Sequence, residues 1–573
     1  MRILLIATSY NGLCQRAHIE LEELGHQVSL SLSVNEDKMR GAVLLFQPEL
    51  IICPFLKERV PEDIWQGHTC IIIHPGIKGD RGRSSLDWAI TENRKTWGVT
   101  ALQASKEMDA GDIWSSTHFE MPFASKASIY RREVTEAAMR VISDSVCKFQ
   151  TTGFKPEPLD YANPDVKGRL RPSMKQVERR IDWPHDCTDD IIRKIHAADS
   201  SPGVLDTILG EECYLYGAHK EELLRGDSAG EIIAQRCGAI CLASTDGAVW
   251  ISHLKRKSVN PAQKSRNFKL PATMLLKEKL GDVPESPEDF LGLKKLSTFR
   301  EILYEESNGV GYLHFGFHNG AMHTEQCKRL KEAYLYVRSR PIKVVVLLGG
   351  TDFWSNGIHL NVIEAANSSA DESWRNINAI DDLVLEIIKT TSLLTVSALW
   401  GTAGAGGAMM SLAADKVWAR AGCIINPHYK MMGLYGSEYW TYLLPKRVGP
   451  GVAIELTESA LPLGMQKAKR IGLIDEIMPN TYSAFVNRVK ASAEELANQD
   501  NYDSLLCAKI KGRETDEMSK PLQAYRDAEL QKMFRQFYDS DSAYHELRRR
   551  FVLKIPPQPG RCAGLAQRER PIC

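Results

Sequence analysis

Short apolar runs alternate with amphipathic stretches over the first 115 residues. Ile3 to Ala7 reads as a buried strand, and Arg16 to Leu24 as a helix closed by Gly25. Val28 to Leu32, Leu50 to Cys53 and Cys70 to Ile73 read as further strands. This alternation predicts a mostly parallel sheet covered by helices, with ligands beyond the carboxyl ends of its strands. Three loops lie there: Thr8–Gly12, Pro54–Arg59 and His74–Ser85.

The pattern then changes. Residues from about 155 to 175 are rich in Pro, Asp, Asn and basic residues and read as a linker. A helix from Asp189 to Ala198 follows, then short β-like runs at Glu231–Ala234, Ala239–Leu242 and Val249–His253. These predict a small β-barrel-like module. Residues 281 to 300 read as a second linker. The pattern restarts near Tyr312 with a strand (Tyr312 to Phe317), a helix (Thr324 to Ser339) and strands at Ile342–Leu348 and Leu393–Ala398. From about Pro462 onward it is helical and charged. The expected domains are 1–160, 161–280 and 281–573.

Composition narrows the classes. Apolar residues make 43% of the 573 and charged residues 25%, which fits packed globular domains. Lys+Arg and Asp+Glu both number 72, so no net charge draws the chain to nucleic acid or an anionic membrane. No apolar run reaches the roughly 20 residues that span a bilayer. The opening MRILLIATSYNG reads as a strand and not as a signal peptide. Thirteen scattered cysteines without a CxxC pair favour reduced thiols and a cytoplasmic location.

Two constellations carry candidate chemistry. In IIIHPGIKGDRGRSSLDWAI (71–90), His74 ends a buried strand and glycines shape the loop after it. In WGVTALQASKEMDAGDIW (97–114), Asp109 sits in a turn bounded by Gly111. A His and an Asp on neighbouring loops can share a proton and polarise a carbonyl. Taken singly, each reads as readily as a solvated His and a turn former.

Their order resembles the 10-formyltetrahydrofolate-dependent formyltransferases, such as methionyl-tRNA formyltransferase, from residue 1 to about 275. RIDW (180–183) and the SSPGV turn opened by Ser200 resemble the start of that family's C-terminal OB-like domain. The resemblance implies a Rossmann-like first domain and catalytic roles for His74 and Asp109. It places Pro54, Phe55 and Leu56 along the pterin pocket; Ser200 is a further candidate cofactor contact, and Arg131 and Arg132 read as a solvated face or a contact for CoA phosphates. The family carries an Asn two residues before the His; here Ile72 stands there. An aliphatic side chain cannot donate to a formyl oxygen, and losing one such donor costs about 2.7–4 kcal/mol. Asn11, on the first strand-end loop, is a candidate replacement.

The second constellation is LLGGTDFWSNGIHL (347–360) with WGTAGAGGAMMSLAADKVWAR (400–420). A dinucleotide reading fails, because Met409 stands where the last glycine of GxGxxG belongs. What remains is two turns with exposed backbone N–H groups, suited to an oxyanion. From about residue 300 the chain resembles the crotonase (enoyl-CoA hydratase) superfamily. The resemblance implies an acyl-CoA thioester oxygen held by the N–H groups of Ile358 and Gly406, with Gly357 beside them. The hydratase carboxylates are missing: Met409 occupies the first position, and His428 or Tyr429 the second. Glu438 lies near a position where other crotonase-fold enzymes place a catalytic carboxylate. Tyr429 and Glu438 are the expected pair, with His428 and Tyr439 as alternatives to Tyr429.

Other signals are weaker. His314 and His318 share a strand-like run without a third ligand at metal spacing, so packing is the simpler reading and no metal is expected. Arg548–Arg550 reads as a solvated face or a contact for CoA phosphates.

The two halves together resemble a family of hydrogenase maturation factors with this order of modules. That resemblance implies a carbon monoxide-forming enzyme. It would pass the formyl group of 10-formyltetrahydrofolate to coenzyme A and decarbonylate formyl-CoA in the back half. The CO would serve a [NiFe]-hydrogenase iron, held by partner maturation proteins. Two rivals remain open: a formyltransferase or deformylase with another acceptor, and a non-catalytic maturation scaffold.

Overall fold

The computed structural model describes residues 1–33, 35–258, 267–292 and 296–555. They divide into two compact units. Met1–Lys257 and Pro271–Glu285 belong to the first, and the chain from Ser286 belongs with the second.

The first unit opens with β1 (Arg2–Ala7), β2 (Gln27–Leu32), β3 (Leu50–Cys53), β4 (Cys70–His74), β5 (Thr96–Gln103) and β6 (Ile113–Glu120). Their order in the sheet is β2-β1-β3-β4-β5-β6. The β1–β2, β1–β3 and β3–β4 pairs are parallel; β5 and β6 are added antiparallel. The strands read as unbroken apolar runs because both faces are covered. Ile3, Leu5, Ile52 and Ile71 pack into one core, and Leu4, Ile6, Ile51 and Cys53 into another.

The rest of this unit is an antiparallel sheet. Its strands are β7 (Val204–Ile208), β8 (Glu211–Glu221), β9 (Ile232–Arg236), β10 (Ala239–Ala243), β11 (Ala248–Arg256) and β12 (Leu270–Pro271). The order is β7-β8-β11-β10-β9, with β12 on β11. The long strand β8 escaped the sequence reading because its sequence, EECYLYGAHKE, mixes charge with aromatics.

Residues 155–175 are not a free linker. Gly168 N–H donates to Lys78 O, Arg81 N–H to Arg169 O, Arg171 N–H to Arg81 O, and Tyr161 OH to Gly79 O. Their Pro- and Asp-rich composition prevents a regular element, but the backbone groups find partners on the His74 loop instead.

The second unit carries two principal sheets. The larger contains β13 (Ile302–Ser307), β14 (Val310–Phe315), β16 (Val344–Leu348), β19 (Leu394–Leu399), β21 (Lys416–Arg420) and β24 (Glu476–Met478), in that order. The smaller contains β17 (Phe353–Ser355), β20 (Thr402–Gly404), β22 (Ile424–Asn426) and β23 (Leu463–Gly464), while β15 (Ala321–Met322) pairs with β18 (Gly357–Ile358). Strands β16, β19 and β21 each hand the chain on to a strand of the smaller sheet, which makes the spiral. The sheet thus starts at Ile302, before Tyr312. The expected linker at 281–300 lies partly at residues 293–295, outside the described residues. Past Pro462, β23 and β24 interrupt an otherwise helical run that ends with four helices between Tyr482 and Leu553. Among the described residues, no helix is long and apolar enough to cross a membrane.

Candidate active sites

In the first unit, the loops after β1, β3 and β4 meet at the carboxyl ends of the parallel strands. Thr8 N–H donates to Phe55 O at 2.8 Å, and Lys57 N–H donates to Thr8 Oγ1 at 2.9 Å, which ties two of these loops together. The third is fastened by side chains. Ser85 Oγ and Trp97 Nε1 both donate to Pro75 O, and Thr100 Oγ1 donates to Gly76 O.

His74 is buried at the end of β4, between two carboxylates. Its Nε2 lies 2.9 Å from Asp80 Oδ2, and its Nδ1 lies 3.6 Å from Asp109 Oδ2. Burial opposes the charged imidazolium. The hydrogen bond to Asp80 and the charges of Asp109 and Asp80 outweigh it, so the His74 pKa is raised. A Cβ on Gly76 would lie 2.4 Å from His74 Nε2 and 2.5 Å from Asp80 Oδ2, so only glycine admits the His–Asp contact. Asp109 takes a left-handed backbone (φ 54°), and its Oδ2 accepts from Gly82 N–H at 3.2 Å. Asp80 was missed in the sequence; a lone Asp in a Gly-rich loop reads as a turn former.

The other front residues divide. Pro54 is buried and Phe55 and Leu56 half-buried on the loop after β3, with Phe55 edge-on to Tyr130 at 5.9 Å. Tyr130, Arg131 and Arg132 lie in a π-helical turn, Tyr130–Val134, a geometry frequent at functional sites. Ile72 lies two residues before His74 on β4 and packs towards Leu56 and the Ile6 side of the sheet. Asn11 caps the helix Gly12–Glu23 by accepting from Cys14 N–H, and its side chain also meets the Tyr130 hydroxyl. Ser200 is exposed in a left-handed turn.

In the second unit, Gly357 and Gly406 adjoin: a Cβ on Gly357 would lie 3.1 Å from Gly406 N. Ile358 follows Gly357 in β18, and Gly406 opens the helix Gly406–Ser411 after Ala405, whose φ is 47°. Over this turn sits Glu438. A Cβ on Gly406 would lie 2.0 Å from Glu438 Oε1, so the carboxylate occupies the space that a side chain would need. Tyr429 OH donates to Glu438 Oε2 at 2.6 Å, and Ser437 N–H approaches the same oxygen at 3.2 Å. The alternatives point elsewhere: His428 Nδ1 donates to Asn426 O, and the Tyr439 hydroxyl meets Arg526.

Glu438 is 1% exposed. Burial first, then the charges of Asp381 and Glu529, push its carboxyl above the usual range, although the Tyr429 hydrogen bond works the other way. Burial and the Glu438 charge push the Tyr429 phenol well above its ordinary value, which keeps it a neutral donor.

The remaining candidates are engaged. His314 Nε2 pairs with Glu305 at 3.1 Å, and His318 contacts Lys269. No group of three metal-ligating side chains occurs among the described residues. Arg548 is buried, donating to Glu364 Oε2 and Ser369 Oγ.

Residues 173–269 match the formyl transferase C-terminal domain family, and residues 305–558 match the enoyl-CoA hydratase/isomerase family. The hydrogenase maturation factor HoxX of Bradyrhizobium diazoefficiens is 44% identical over 99% of this chain and all of its own. The chain belongs to the HypX/HoxX family of hydrogenase maturation factors. The crystal structure of HypX from Aquifex aeolicus in complex with tetrahydrofolic acid superposes with a TM-score of 0.94. It is 44% identical, over all of this chain and 99% of the other. A methionyl-tRNA formyltransferase of Bacillus licheniformis is 22% identical over 41% of this chain and 72% of its own length. The HypX/HoxX fold thus joins a formyltransferase half to a crotonase-like half, as the sequence led one to expect.

Proposed function

We propose that this chain makes carbon monoxide for hydrogenase maturation from 10-formyltetrahydrofolate, with coenzyme A as formyl acceptor. The observation that carries the reading is the Tyr429–Glu438 pair against Gly406. A hydratase would need a carboxylate at Met409; this chain instead offers one base, directly over the turn suited to a thioester oxygen.

In the front half, the His74 imidazolium, held by Asp80 and Asp109, faces the formyl oxygen. It stabilises the charge that develops as the CoA thiol sulfur attacks the formyl carbon. The C–S bond forms, the C–N10 bond breaks, and N10 takes the thiol proton; Asp109 is placed to pass it. The charge of a protonated His74 would offset part of the stabilisation that an Asn amide at position 72 would have given. Pro54, Phe55 and Leu56 would hold the pterin. Arg131, Arg132 and Ser200 would meet the anionic parts of the folate or CoA.

In the back half, the N–H groups of Ile358 and Gly406 would hold the thioester oxygen of formyl-CoA, with Gly357 leaving room. Ionised Glu438 takes the formyl proton as the C–S bond breaks. CO leaves, and the thiolate receives the proton through Glu438. Tyr429 holds the carboxylate by donating to it throughout. CoA is regenerated, and nothing is oxidised or reduced. The CO would pass to maturation proteins carrying the hydrogenase iron, in the cytoplasm.

The test is purified protein with 10-formyltetrahydrofolate, with and without CoA, and deoxyhaemoglobin to report CO. CO that depends on CoA is expected. Glu438→Ala should stop CO and leave folate deformylation in place. No CO with either free or prebound CoA would overturn the reading.

A further inference from the structure

Glu438 is held by more than the pocket requires. Residues Ser437 to Tyr439 form a tight turn between the 3-10 turn that carries Tyr429 and the helix Trp440–Val448. Both Glu438 (φ 60°) and Tyr439 (φ 58°) lie in the left-handed region. Two successive non-glycine residues there are strained, and Asn or Gly would be the cheaper choice. Something must hold them.

Two carboxylates from other helices do so. Asp381, on the helix Ser369–Ile388, accepts from Glu438 N–H at 2.8 Å and from Ser437 Oγ at 2.7 Å. Glu529, on the helix Leu522–Tyr538, accepts from Tyr439 N–H at 3.0 Å and from Thr441 N–H and Oγ1 at 2.9 and 2.5 Å. Ser437 Oγ also lies 3.3 Å from Glu529, so one hydroxyl joins both acids. Asp381 and Glu529 are both 0% exposed.

We infer that Asp381 and Glu529 are positioning residues that fix the left-handed turn at Glu438, and so aim its carboxylate at the Tyr429 hydroxyl over Gly406. This rests on the proposed role of Glu438 as the base. A scaffold alone would not call for such a cluster. Burying three carboxylates beside one cation costs more than packing apolar residues of the same volume. The charged and titratable groups facing the cluster are Tyr429, Tyr439, Arg526 and Cys327. Arg526 acts on Asp381 and is also paired with Asp382 at 2.8 Å. The cluster has a second consequence. Each added negative charge raises the proton affinity of Glu438, and so its strength as a base once ionised.

The experiment uses the full-length protein with Asp381→Asn, Glu529→Gln and Ser437→Ala, which keep or nearly keep side-chain volume. Formyl-CoA is supplied directly, and CO is followed across pH. Asp381→Asn and Glu529→Gln should lower kcat about ten- to a hundredfold, the scale of a misplaced catalytic group. KM and folate deformylation should stay unchanged. In Asp381→Asn the pH at which CO release rises should move down by about one unit, because a neighbouring negative charge is gone. Ser437→Ala, which removes no charge, should lower kcat without moving that pH. A purely structural role would instead lower the melting temperature and leave the pH profile in place; that result overturns the inference. If the wild-type protein releases no CO from formyl-CoA, the functional reading fails. The inference is then decided by infrared titration of the Glu438 carboxyl, identified by difference from Glu438→Gln. A midpoint that moves down in Asp381→Asn supports it, and an unmoved midpoint overturns it.

Discussion

In the front half two carboxylates, Asp80 and Asp109, face one imidazole; in the back half two carboxylates, Asp381 and Glu529, stand close to a third, Glu438. The surrounding groups are of one kind, and the outcome follows from the group at the centre. The facing carboxylates raise the proton affinity of His74 against the effect of burial, which suits the proposed role of its cation beside developing negative charge. Glu438 also gains proton affinity, from burial first and then from Asp381, which suits the proposed role of a base once ionised. In the proposed reaction one half stabilises charge on an oxygen and the other removes a proton from carbon.

The comparison can be broken most directly at its centres. Glu438→Gln should reduce CO release by a hundredfold or more, on the scale of about 10²–10⁴ for a lost general base. The rate of folate deformylation should be kept. His74→Ala should do the converse, abolishing formyl transfer while CO release from supplied formyl-CoA persists. Equal losses of both steps in either variant would erase the distinction.

Gly406→Ala is the next largest effect. Its Cβ would meet Glu438 Oε1 at 2.0 Å, so the carboxylate must shift from its place over the turn. A loss of CO release of about a hundredfold is expected. The front step should not change.

A smaller effect should separate the halves by pH. If the cation of His74 is the working form, formyl transfer falls as pH rises through its raised pKa. If ionised Glu438 is the working form, CO release rises as pH rises through its own raised pKa. Asp80→Asn removes the carboxylate charge that strengthens the hydrogen bond and raises His74, so the fall in formyl transfer should begin at lower pH. Steady-state assays of each step between pH 6 and 9 would show it; an unmoved limb would deny Asp80 its role.

The smallest effect concerns stability. Burial, and the charge of Asp381, push Glu529 from 4.5 up to about 8. A group whose folded pKa is raised stabilises the native state fully below its unfolded value. That stabilisation is lost as pH rises through the folded value. The melting temperature of the wild type should therefore fall from pH 5 to pH 8 more steeply than that of Glu529→Gln. Parallel curves would contradict the assignment.

Much of this was legible in the sequence, for reasons that differ by residue. Leu50–Cys53 and Ile3–Ala7 are unbroken apolar runs that only a doubly covered sheet explains, and they are strands. His74, Asp109, Tyr429 and Glu438 were reached through motifs whose order is preserved, and each pair does meet. The supporting groups were not legible. Asp80 looks like any acid in a glycine-rich loop, and its meaning depends on how closely Gly76 lets it approach. Asp381 lies 57 residues from Glu438, and Glu529 lies 90 from Tyr439, on helices whose pattern shows only burial. Residues 155–175 were misread because the composition of a linker is also that of a segment bonded through its backbone. Asn11 Oδ1 accepts from Cys14 N–H as a helix cap, a use of the side chain that its place on a strand-end loop did not reveal.

The division of labour can be tested in one single-turnover measurement. Formyl-labelled ¹³C-folate and CoA are mixed with the wild type and with Glu438→Gln, and acid-quenched samples are read by mass spectrometry, with trapped CO read in parallel. The account predicts labelled CO and only transient thioester from the wild type. From Glu438→Gln it predicts accumulated labelled formyl-CoA and no CO. Labelled CO from Glu438→Gln at the wild-type rate, or free formate without any thioester from either protein, would contradict it.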